Sequence, residues 1–144
     1  MNNDLDSSKS LVKKIAKSIK KQPLENTRVI VAPTFVSLQK VASKAKGTKV
    51  EVAAQNMHFE KSGAFTGEIS ASMLKSVGVH IVILGHSERR EYFGETDALL
   101  AKKVNAALAN KMEIIFCFGE VLADRKAGNH FKVVESQIKN GLFH

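Results

Sequence analysis

The sequence has a single cysteine, Cys117, in 144 residues. A disulfide within the chain is therefore excluded, and the composition fits a reducing, cytoplasmic setting. No apolar run approaches the length of a membrane span, so no membrane partner is expected. The opening, Met1-Asn2-Asn3-Asp4, is polar and unlike a secretory signal. No Gly-rich dinucleotide fingerprint follows any apolar run. The five histidines, His58, His80, His86, His130 and His144, show no ligand spacing with carboxylates or with the cysteine. No metal site and no cofactor are expected from that pattern. Linkers, low-complexity tracts and internal repeats are also lacking, so residues 1–144 read as one domain.

Acidic residues are in the minority, 14 against 22 lysines and arginines, for a net charge of +8. The lysines of the first segment (Lys9, Lys13, Lys14, Lys17, Lys20, Lys21) lie around one apolar stripe. They read as a solvated helix face. No aromatic side chain sits among them to stack bases, so nucleic acid is not an expected partner.

What is present is an alternation. Leu11, Val12, Ile15, Ala16 and Ile19 have helical spacing, with Asp6, Ser7 or Ser8 available as N-cap. Arg28–Ala32 is a short β-branched run ended by Pro33, and reads as a buried strand. Phe35–Ala45 reads as a helix closed by Gly47, and Lys49–Ala54 as a second strand. A loop runs from Asn56 to Gly67. Ser70 can cap a short helix closed by Gly78. His80–Leu84 is the third strand, ended by Gly85. Thr96 can cap a helix with Leu100, Val104, Ala107 and Leu108 on one face. Met112–Phe118 is the fourth strand, ended by Gly119, and a last helix shows Phe131, Val134, Ile138 and Leu142. The order α-β-α-β-α-β-α-β-α implies an α/β fold with parallel strands and right-handed crossovers. Periodicity leaves an open doubly wound sheet and a barrel arc equally possible.

In such folds ligands meet the C-terminal ends of the strands. Three ends carry polar groups: Gln55-Asn56, His86-Ser87-Glu88 and Gly119-Glu120. Gly85 allows a tight turn that brings His86 over the sheet mouth, and Ser87 can cap a helical turn of Glu88-Arg89-Arg90. Taken by spacing alone, Glu88 pairs with an arginine, and Arg89 and Arg90 form salt bridges on a short helix. Cys117, mid-strand, reads as a buried inert thiol.

The run Ile83-Leu84-Gly85-His86-Ser87-Glu88-Arg89-Arg90-Glu91-Tyr92-Phe93-Gly94-Glu95 closely resembles the triosephosphate isomerase signature around its electrophilic histidine. Ala53-Ala54-Gln55-Asn56 with Gly63-Ala64-Phe65-Thr66-Gly67-Glu68-Ile69-Ser70 resembles that family's third strand and dimer-forming loop. Cys117-Phe118-Gly119-Glu120 with Arg125-Lys126-Ala127-Gly128 resembles its fifth strand and following helix, and Val31-Ala32-Pro33 its second strand.

The resemblance implies interconversion of dihydroxyacetone phosphate and glyceraldehyde 3-phosphate, a step of glycolysis and gluconeogenesis, by a cytoplasmic homodimer. His86 then matches the neutral histidine that polarises the carbonyl. Glu88 matches a buried carboxylate beside the site, and Ser87 the residue that caps and orients the histidine turn. Phe65 and Thr66 insert into a partner subunit, and Glu68 pairs with Arg89 across the interface. The implied fold is an incomplete (β/α)8 barrel, strands two to five of a structure of about 250 residues. Met1-Asn2 fits the tail of the family's Asn-x-Lys-Met-Asn pattern, which would leave the first strand and its substrate lysine upstream. The strand with the glutamate base would follow Gly141-Leu142-Phe143-His144, and Glu120 is no substitute for it. The chain alone is therefore expected to be inactive. The competing reading is a non-catalytic half-barrel acting as a binding or assembly module. A receiver-like domain is disfavoured because Ala32, Ala54 and Leu84 put apolar residues at strand ends.

Overall fold

The structure, a computed structural model, describes residues 1–143. His144, one of the histidines weighed above, lies outside the described residues.

Helix α1 (Leu5–Lys21) buries Ser8, Val12 and Ile19 on one stripe. Its N-cap is Asp4, not Asp6, Ser7 or Ser8: the Asp4 carboxylate accepts from the Ser7 backbone N–H at 2.9 Å. An uncapped first turn leaves donors unsatisfied, and Asp4 is the carboxylate placed one residue before the helix. The lysines project away from the buried stripe and are exposed, apart from Lys9, which is half-buried and pairs with Asp6.

Strand β1 (Val29–Val31), helix α2 (Phe35–Ala45), strand β2 (Val50–Ala54), helix α3 (Ala71–Ser76) and strand β3 (Ile81–Leu84) follow in alternation. Ser70 caps α3 as expected, accepting from the Met73 N–H. After β3 come α4 (Ser87–Tyr92) and α5 (Asp97–Ala109), then strand β4 (Glu113–Phe116), then α6 (Leu122–Lys126) and α7 (His130–Leu142). Two short helices, α4 and α6, break the strict alternation. Strands are shorter than the apolar runs that signal them, because the pairing stops where glycine or proline turns the backbone away.

The four strands form one parallel sheet in the order β1-β2-β3-β4. Val29 pairs with Val50, Ala54 with Val82, and Leu84 with Phe116. Side chains alternate across the sheet. Val52, Ala54, Val82 and Leu84 join the core beneath the helices, with Leu38, Val41, Leu74 and Leu100. At the start of the strands Arg28 donates to Glu51 at 2.6 and 2.8 Å and to Glu113 at 2.6 and 2.9 Å. That guanidinium ties the two edge strands, which a flat sheet would hold three spacings of about 4.8 Å apart. The tie fits a sheet curled toward that face, an arc of a barrel.

Two helix faces differ from expectation. On α5, Leu100, Val104 and Ala107 are buried, but Leu108 is exposed and Lys103 is buried in its place. Leu108 lies about 80° around the helix from Leu100, off the centre of the stripe. On α7, Phe131 is exposed, and Gly141 is the buried position. A Cβ at Gly141 would meet the Phe116 ring at 2.6 Å, so this helix docks through a glycine rather than through its aromatic residue.

Candidate active site

The polar groups at the C-terminal ends of the strands have separate partners: Gln55 donates to Ala32 O after β1 at 2.8 Å, while His86 stands in the turn that follows β3. The ladder ends when Leu84 O accepts from Cys117 N–H at 2.8 Å. Gly85 then takes a φ of +82°. A Cβ there would lie 2.6 Å from Cys117 O, so only glycine fits the turn. The next residue is His86, and it is the N-cap of α4.

The expected cap was Ser87. Instead His86 Nδ1 accepts from the Glu88 backbone N–H at 3.3 Å, and Ser87 begins the helix. The imidazole can do this because its acceptor nitrogen stands where a capping oxygen usually does. In the tautomer that makes this bond, Nδ1 is bare and Nε2 holds the ring N–H. The ring is half-exposed and available to a ligand from solvent.

Glu88 Oε2 stands 3.8 Å from His86 Nδ1. The resemblance implies a buried carboxylate here, but its side chain is 73% exposed. No residue of helix α4 is fully buried, and Glu88 is on its open side.

Arg89 turns inward, and Nε donates to Glu95 at 2.7 Å. Glu95 also accepts from Lys103 Nζ at 2.5 Å, and Lys103 donates to Asn56 at 2.9 Å. Burial alone would raise the Glu95 carboxyl. The hydrogen bonds from Lys103 and Arg89 outweigh it and hold the group below its ordinary value. Sequence reading misses this cluster. A signal was present: Leu100, Lys103, Val104 and Ala107 follow helical core spacing, so the lysine sits on an apolar face and needs a counter-charge.

Arg90 reaches back to the strand ends, donating to Gly85 O and Cys117 O and pairing with Asp97. Cys117 is half-buried rather than fully enclosed. Burial pushes its thiol up, and the Arg90 charge opposes the rise. Beyond β4, Gln137 on α7 clasps Gly119 by both its N–H and its carbonyl, at 2.8 and 3.1 Å. Glu120 lies 3.3 Å from Arg125.

The loop after β2 is ordered by its own contacts. His58 packs at a tilt against Phe59 and Phe65, with centroids 4.4 and 4.5 Å away, and faces Glu68 at 3.6 Å. Phe65 and Thr66 are exposed at the tip. Glu68 and Arg89 are not paired within the chain.

Parallel strands alternating with helices in a curled, unclosed sheet, with polar groups at the strand ends, define a partial (β/α) barrel. The family model described as triosephosphate isomerase matches residues 1–144. A triosephosphate isomerase of Flavobacterium johnsoniae is 62% identical, over 83% of this chain and 48% of its own length. Those of Flavobacterium psychrophilum and Cytophaga hutchinsonii are 50% and 49% identical, each over 100% of this chain and 57% of its own length. The chain belongs to the triosephosphate isomerase family. It spans about half the length of the curated relatives it matches.

Proposed function

We propose that these residues supply the electrophilic side of a triosephosphate isomerase active site. The observation that carries this is the geometry of His86. It is fixed at a strand end by Gly85 and α4, with Nδ1 accepting and Nε2 left as donor. A neutral N–H aimed at a substrate carbonyl stabilises the oxyanion of an enediolate without giving up its proton. Glutamate-mediated transfer of a proton between adjacent carbons then interconverts dihydroxyacetone phosphate and glyceraldehyde 3-phosphate. Glu88 is proposed beside the site as a proton-handling carboxylate, and Ser87 as support for the histidine turn.

The base and the substrate lysine of the family pattern are not among these 144 residues. The chain by itself is therefore expected to show no isomerase turnover. In a chimera where it replaces the matching segment of the Flavobacterium psychrophilum enzyme, activity is expected. His86→Gln should then lower kcat about 10²–10³-fold, the usual cost of losing an oxyanion donor. An active chimera indifferent to His86→Gln would overturn the reading.

The same reading makes the whole protein a cytoplasmic homodimer serving glycolysis and gluconeogenesis. Phe65 and Thr66 would enter the partner, and Glu68 would meet the partner's arginine at position 89. What supports this is an ordered loop with an exposed aromatic tip, and an Arg89 that uses only Nε toward Glu95. No helix of the described residues is long and apolar enough to cross a membrane.

A further inference from the structure

Where two parallel strands part, the next backbone carbonyls along the ladder lose their partners. Here those carbonyls are Gly85 O and Cys117 O, just beyond the last rung from Cys117 N–H to Leu84 O. One side chain satisfies both. Arg90 Nε donates to Gly85 O at 2.8 Å, and Nη2 donates to Cys117 O at 3.3 Å. Its third arm, Nη1, meets Asp97 Oδ1 at 2.6 Å, at the start of α5. The guanidinium also lies 5.9 Å from the centre of the Phe116 ring on β4. Both charged side chains are largely buried, 16% and 23% exposed.

We propose that Arg90 is a positioning residue for His86: it clamps the Gly85 carbonyl to the end of β4 and so sets where the imidazole stands. Gly85 O belongs to the peptide that enters His86, so the clamp acts one bond away from the residue it positions. The α4 helix closes the loop from the other side, since Arg90 N–H donates to His86 O at 3.1 Å. His86 is therefore held between the backbone and the side chain of the same arginine. The planar fork matters. A lysine ammonium has the charge but cannot face Asp97 and both carbonyls with fixed geometry.

The inference rests on His86 as the electrophile, but its test reads ring geometry rather than turnover. Failure of one is thus distinguishable from failure of the other. The test is long-range ¹⁵N–¹H NMR of the histidine rings in the labelled 144-residue chain, compared with Arg90→Gln and Arg90→Lys. The parent is expected to show His86 as one neutral tautomer, with separate signals for a bare Nδ1 and a protonated Nε2. In both variants these signals should merge toward tautomer-averaged values, while His58, His80 and His130 keep theirs. Arg90→Lys retains the charge beside Asp97, and so keeps the test decisive if Arg90→Gln fails to fold. An unchanged His86 in Arg90→Lys overturns the proposal. Changes spread equally over His58, His80, His86 and His130 overturn it too, because Arg90 would then serve only the fold.

Discussion

Burying an ammonium among apolar side chains costs several kcal/mol unless a counter-charge meets it. Lys103 is 3% exposed and solves this with Glu95 and Asn56. Lys103→Met should therefore be costly in an indirect way: it leaves the Glu95 carboxylate buried with Arg89 as its only cationic partner. A loss of about 3 kcal/mol is expected, read as a lower urea midpoint. An unchanged midpoint would remove this pair from any account of stability. Lys103 was findable from helical spacing, but its partners were not. Glu95 is eight residues away and Asn56 forty-seven, and only packing brings them together. The role of His86 as its own helix cap was hidden for a related reason. Serine is the usual capping residue, and histidine takes the position here only because Gly85 aims it there.

At the scale of elements, helices and strands were legible because their periods are written in consecutive residues. Their ends were less so. Asp4 caps α1 from outside the apolar pattern, and α6 is a single short stretch with no buried residue. The tie between strands gives a prediction of its own. Hydrogen bonds from Arg28 hold the Glu51 and Glu113 carboxyls below their ordinary values. Folded protein therefore binds fewer protons at these sites than unfolded protein does. Their contribution is fully present above the unfolded glutamate value of about 4.3, and is lost as pH falls through the lowered folded values. Melting temperatures measured from neutral pH downward should fall less steeply below about pH 4.3 in Glu113→Gln than in the parent. The difference should be small and shrink with added salt, since all three groups are about half-exposed. Identical acid limbs would mean that the tie contributes nothing measurable.

For the molecule as a whole, the open sheet is the dominant fact. β1 and β4 are edge strands, each paired on one side only among the described residues. β1 is wholly apolar, β4 is apolar after Glu113, and neither contains a proline within its pairing residues. Such edges recruit other strands. The isolated chain is expected to self-associate, seen as a weight-average mass that climbs with concentration in sedimentation equilibrium. A monomer at every concentration would show that the edges are blunted. By itself, the sequence determined the alternation of strands and helices, the parallel class of the sheet, and the family through the run around His86. Each of these is encoded within a few neighbouring residues. The tertiary structure alone decided which charges meet: Arg28 with Glu113, Lys103 with Glu95 and Asn56, and Arg90 with the carbonyls of two strands. Such pairings depend on register and curl, and these arise only when the helices pack on the sheet.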